Sequence, residues 1–291
     1  MRPLIYLIRS LVYSNLFISI CITALAHQTY ILLKIPQEDC FNVLALIFCS
    51  TFFTYNFQRI YRLRSVDLLG RLIGIRLGWM IRNRRKLFFA SVFSVLMSFV
   101  FLIQLSIHVF LLIIPLSLFS MLYVIPFLPG KKAIRNLPFA KIFIISVVWS
   151  VVMVAIPVVN YNGFQGILKD STVLLFLEQL IFIFAITLPF DVRDLRYDME
   201  SNIKTIPSSI GIKNTITLSH VLLIVFLVLK WIQYYSLGQL TLSQFVATAI
   251  TTSLTFIIIA FTSRKRGELF FTGLVDGTMI LMYLGILYLE Y

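Results

Sequence analysis

The chain has 291 residues, of which 59% are hydrophobic and only 13% charged, and its mean hydropathy is +0.95. A soluble globular domain does not reach these values, so the composition excludes one and points to an all-α integral membrane protein with several spans. The formal net charge of +13 would suit nucleic acid, but the placement of the basic residues assigns it to membrane topology instead.

Arg2 and Arg9 precede an apolar stretch that runs to about Leu33, too long for a signal-peptide core, and it reads as a retained first span. In all, nine apolar stretches have roughly the 20 residues needed to cross a bilayer. They lie near residues 11–33, 41–58, 87–106, 109–127, 138–159, 171–190, 216–235, 242–262 and 269–289. Cys21, Cys40 and Cys49 are odd in number and lack metal-ligand spacing, which argues against both a disulfide framework and a zinc site. With the N-terminus in the cytoplasm, 22 of the 25 basic residues fall on the inner side, and only Lys34, Lys169 and Lys230 lie elsewhere. This asymmetry favours a single nine-helix transmembrane domain over residues 1–291, multi-pass in the plasma (inner) membrane, with its site facing the cytoplasm. The longest basic loop contains residues 65–81, where Leu68, Leu69, Leu72, Ile73, Trp79 and Met80 alternate with Asp67, Arg71 and Arg76. That pattern predicts a short amphipathic helix in the headgroup region, either a lid over a cytoplasm-facing cavity or a plain anchor.

Asp191, Asp194 and Asp198 are spaced i, i+3, i+7, which puts three carboxylates on one face at the cytoplasmic end of the sixth span. Like charges in such a stripe repel and call for a cation. Mg²⁺ suits them, because it takes hard oxygen ligands and is commonly shared between carboxylates and substrate phosphates. A solvated helix end neutralised by Arg193 and Arg196 is the other reading. Two more acids sit inside spans, Glu178 in the sixth and Asp276 in the ninth, the latter roughly 10 Å from the cytoplasmic end. Ionisable groups at such depth are functional candidates or hydrogen-bonded structural ones. His27, His108 and His220 are isolated and suggest no metal cluster.

The segment Asp191-x-Arg193-Asp194-x-x-x-Asp198, followed by Lys204-Thr205-x-Pro207 and Gly211, resembles the second aspartate-rich motif of the UbiA superfamily of intramembrane prenyltransferases. Leu137-Pro138-x-x-Lys141, leading to Val148-Trp149, is similar to the start of that family's fifth helix, and Tyr123-x-x-Pro126 with Lys131 to its Tyr…Lys motif. The resemblance implies nine helices around a central cavity, where two aspartate motifs hold Mg²⁺ against a prenyl diphosphate. The allylic C–O bond ionises there and the carbocation alkylates a hydrophobic or aromatic acceptor. It makes Asp191, Asp194 and Asp198 the catalytic and metal-holding residues, and Tyr123, Lys131, Arg193 and Lys204 substrate-binding ones; Asp276 joins the substrate-binding candidates by its depth alone. At the first motif the sequence departs from the family. Asn56 is present and is expected to bind substrate, but Ile60 and Arg64 stand where aspartates are expected. Either Arg59, Arg62 or Arg64 grips phosphate oxygens in place of a metal, or these arginines only anchor the helix. The expected function is a membrane prenyltransferase; the alternatives are a terpene cyclase of the same fold and a non-catalytic isoprenoid- or lipid-binding protein.

Overall fold

Each apolar stretch is helical in a computed structural model that describes residues 2–38, 40–65, 75–127, 129 and 133–288, and no strand occurs among the described residues. In chain order the helices are α1 (Arg2–Tyr13), α2 (Leu16–Leu32), α3 (Cys40–Ser65), α4 (Ile75–Arg82), α5 (Arg84–Leu102), α6 (Ile107–Leu122), α7 (Ala140–Ser150), α8 (Ile156–Asn162), α9 (Asp170–Glu200), α10 (Ile206–Tyr235), α11 (Leu242–Ala260) and α12 (Asp276–Leu287). A π-helical turn, Val151–Ala155, joins α7 to α8 in one rod, and a second, Phe270–Val275, leads into α12.

Among the described residues, seven helices are long and apolar enough to cross a membrane, or eight if α1 and α2 count as one broken span. The expected first span, 11–33, is bent by 70° between α1 and α2. Asn15 stands at the break with φ of 67°, a left-handed conformation that asparagine adopts more readily than most residues. The expected fourth span, 109–127, is the 16-residue α6, about 24 Å of helix against a hydrocarbon core of about 30 Å. Length alone therefore supports fewer spans than the nine apolar stretches suggested. Of the amphipathic loop helix, α4 falls in the expected place, while residues 66–74 lie outside the described residues.

Two prolines shape the bundle next to the site. Pro189 in α9 has no N–H to offer the carbonyl of Ala185, and the buried Ser219 hydroxyl of α10 donates to that oxygen at 2.7 Å. Pro157 likewise offers none to Met153, whose carbonyl accepts from the Thr29 hydroxyl of α2 at 2.8 Å. In a medium without water, such side-chain donors are what make a helix-interior proline tolerable. Gly211, with φ of 82°, turns the chain near the start of α10, a conformation that an L side chain rarely adopts. The apolar core lies between α2, α3, α9, α10 and α12, whereas α5 exposes Phe88, Phe89, Phe93 and Phe99 outward, as a lipid-facing helix would.

Candidate active site

One cavity of about 1380 Å³ of empty space, open solvent at its mouth included, lies among the ends of α2, α3, α4, α7 and α9 and the start of α12. Its polarity follows the helices. On α7 the wall runs from Lys141 through Ile144, Ile145 and Val148 to Trp149, and eight residues of helix make about 12 Å. On α9 it runs back from Asp194 and Arg193 through Phe190 to Thr187 and Ile186, and on α3 from Arg59 and Gln58 to Tyr55 and Thr54. Three helices therefore place charge at the same end and apolar side chains beyond it. Tyr55 meets Trp149 edge to face at 5.9 Å in the apolar part.

At the charged end the three aspartates converge, but on an amine of the chain itself. Lys141 Nζ lies 2.7 Å from Asp191 Oδ1, 3.3 Å from Asp194 Oδ2 and 3.7 Å from Asp198 Oδ2. Phe139, the residue before α7, is left-handed with φ of 59°, and its N–H donates to the carbonyl of Lys204 at 3.0 Å. This contact fixes the α7 start that carries Lys141. Arg193 forks onto the same stripe, with Nε 2.7 Å from Asp194 Oδ1 and Nη2 3.2 Å from Oδ2. Mg²⁺ requires near-octahedral oxygens at about 2.0–2.1 Å, and a lysine amine in the middle of the stripe repels it. Among the described residues no group of three His, Cys, Asp or Glu side chains is arranged to hold a metal ion. The stripe thus carries a cation of its own, and with Lys141 among its oxygens it is not arranged as a Mg²⁺ site.

A second polar network closes the opposite wall. Arg76 of α4 is buried; its Nη2 donates to Asn15 Oδ1 at 2.6 Å and its Nη1 pairs with Glu268 Oε1. Arg193 Nη1 reaches the other oxygen of Glu268 at 3.3 Å, so two guanidiniums from different helices share one carboxylate. Burial pushes Glu268 up, but Arg193, Arg76 and Arg59 outweigh it and hold the carboxyl below its usual range. The guanidinium of Arg193 also stands 5.0 Å and 5.5 Å from the ring centres of Phe190 and Phe271.

Of the residues singled out from the sequence, Arg59, Tyr123, Arg193, Asp194 and Asp276 line the cavity. Asp191 and Asp198 are buried just behind, facing Lys141. Asn56 is not on the wall. Fully buried, it accepts from Asn15 Nδ2 at 3.0 Å and donates to the carbonyls of Ser14 and Phe52, bracing α3 against the break between α1 and α2. Lys204 is exposed and away from the wall, and only its carbonyl serves the site. The side chains of Arg62 and Arg64, and all of Lys131, lie outside the described residues. Arg76 was expected to lie at the interface; instead it is buried in the wall, because Asn15 and Glu268 offer it acceptors there. Sequence reasoning gave no site role to Lys141, Arg135, Asn15 or Glu268. The available signal for Lys141 was its motif position after Leu137-Pro138, at the second residue of α7; Glu268, beside three basic residues, carried none.

A model of the UbiA prenyltransferase family matches residues 81–271. No curated protein matches the sequence. Among solved structures, the chain is similar to the apo structure of a UbiA homolog from Aeropyrum pernix K1, at 16% identity and a TM-score of 0.70, covering 94% of this chain and 98% of that one. It is also similar to a UbiA homolog from Archaeoglobus fulgidus bound to GPP and Mg²⁺, at 12% identity and a TM-score of 0.64, covering 97% and 99% of the two chains. At such identities the likeness establishes the fold.

Proposed function

The chain belongs to the UbiA prenyltransferase family, and from that premise we propose that it is a single-domain membrane enzyme that transfers the prenyl group of an isoprenoid diphosphate to a hydrophobic or aromatic acceptor. The observation that carries this reading is the graded cavity, cationic where α7 begins and α9 ends and apolar about 12 Å deeper. An amphiphile with a compact anionic head and a branched hydrocarbon tail matches that gradient, and similar proteins have been solved with GPP and DMAPP. In this reading Arg59, Arg76 and Arg193 hold the diphosphate, neutralising charge that grows on the leaving group as the C–O bond lengthens. Tyr55 and Trp149 present aromatic surface to the allylic carbon and keep water from it. Asp276, buried at the junction of a π-helical turn and α12, lies on the same wall and is the candidate acceptor of the proton that an alkylated acceptor releases. The reading includes nine crossings, a cytoplasmic N-terminus and a cytoplasm-facing cavity.

A non-catalytic isoprenoid-binding role is the second reading, favoured by Ile60 and Arg64 at positions where the family carries aspartates. Diphosphate release from a panel of prenyl diphosphates by the purified protein separates the possibilities. Release that depends on an added aromatic acceptor supports transfer, and release with a cyclised hydrocarbon and no acceptor supports cyclisation. Tight binding without release leaves only the binding role.

A further inference from the structure

The arrangement at the charged end bears on how the headgroup is held. Lys141 already lies within 3.7 Å of an oxygen of each stripe aspartate, and Arg193 covers both oxygens of Asp194. On the facing helix, Ile60 offers no oxygen where a carboxylate would complete a shared metal site, while Arg59 one residue earlier is on the wall. Five basic residues line the cavity against two acidic ones, Asp194 and Asp276. The three carboxylates in contact with that basic set, Asp191, Asp198 and Glu268, lie outside the lining, so the surface that a headgroup meets is basic. Arg76 and Arg193 converge on the two oxygens of Glu268, a spacing that suits one shared anionic group.

From this geometry we infer that the cavity binds a prenyl diphosphate headgroup through its guanidiniums and without a divalent metal, the aspartate stripe serving to hold Lys141 and Arg193 in place. The inference rests on the prenyl-diphosphate reading above and deepens it. Phosphate oxygens take the guanidinium donors directly, and Lys141 is the stripe's built-in cation.

The test is calorimetric titration of the detergent-solubilised full chain with inorganic pyrophosphate and with a non-ionisable geranyl thiolodiphosphate, each in EDTA and in MgCl₂. Dissociation constants for the thiolo analogue should agree within about threefold between the two buffers. The Lys141→Gln variant uncovers three carboxylates, and its affinity should fall by about tenfold or more in EDTA and recover when Mg²⁺ is added. Wild-type binding that appears only with Mg²⁺ overturns the inference and leaves the prenyl-diphosphate reading standing. Absence of binding in both buffers overturns both. A folded Lys141→Gln variant that is indifferent to Mg²⁺ overturns the role assigned to Lys141, and where that variant does not fold, the wild-type comparison decides alone.

Discussion

Glu268 is the carboxylate on which the two walls of the cavity meet, since Arg76 comes to it from α4 and Arg193 from α9. Its folded-state carboxyl titrates below its ordinary value, so folding favours its ionised form. That contribution is complete above the unfolded value near 4.5 and is lost as the pH falls through the lower folded value. Glu268→Gln should therefore lower the thermal midpoint near neutral pH, and the gap to wild type should close as the pH drops well below 4.5. A gap independent of pH over that range would assign the loss to packing instead. Substituting Arg59 or Arg76 with alanine removes a desolvated charge-assisted contact and should weaken binding of a prenyl diphosphate analogue by roughly 10- to 150-fold. Arg196, whose side chain is 85% exposed and pairs only with Glu200 among the described residues, is the control, and Arg196→Ala should change little. The stripe itself was legible because i, i+3, i+7 is a local pattern. Its partner was not, because Lys141 meets the aspartates only once α7 packs on α9, and one-dimensional spacing says nothing of that. Asn56 misled for the same reason: a motif position shows that a residue matters, and only its neighbours show that its role is bracing.

Helices were legible as apolar stretches of the right length, yet the breaks within them were set by single residues with partners elsewhere. Pro189 and Pro157 announce themselves as breakers, whereas the donors that make them tolerable, Ser219 and Thr29, are ordinary residues of other helices. This coupling can be measured. Ser219→Ala should cost about 0.6 kcal/mol and at most about 1.7, the mean and the maximum found for interhelical hydrogen bonds in a bilayer. In a Pro189→Ala background the same substitution should cost less, because the restored N–H of residue 189 supplies the Ala185 carbonyl from within α9. Equal costs in both backgrounds would mean that the hydroxyl supports something other than the proline-freed carbonyl. Asn15 belongs with these cases. Its polar side chain inside the apolar stretch 11–33 was the visible sign of a break, and its two contacts, to Asn56 and Arg76, explain why the chain turns there.

At the scale of the molecule, the exceptions to the charge asymmetry sort themselves. Lys34 and Lys169 are exposed at helix ends, but Lys230 is fully buried, 2.6 Å from Glu178 Oε2 across the contact of α10 with α9. Breaking that pair in Lys230→Met strands a buried carboxylate at a cost of about 3–5 kcal/mol, and Glu178→Leu combined with it should recover much of the loss. The proposed nine crossings agree in parity with the cavity. Asn15, Arg59, Lys141 and Arg193 line one site, so the chain returns to the same face after each intervening pair of helices: α2 with α3, α5 with α6, the α7–α8 rod with α9. Glu268, bonded to Arg193, extends the rule to α10 with α11. On that proposal the short α6 crosses as well, tilting little and drawing the bilayer thin around it. With α12 the proposal counts nine crossings, against the seven or eight that helix length supports among the described residues. In a background without Cys21, Cys40 and Cys49, single cysteines at Lys34 and Lys169 should react with a membrane-impermeant maleimide in intact cells. Cysteines at Lys204 and Lys265 should react only after lysis, and all four positions are exposed. If Lys34→Cys and Lys169→Cys instead label from opposite sides, α6 does not cross, and the cavity that joins Arg59 to Lys141 cannot form in the membrane.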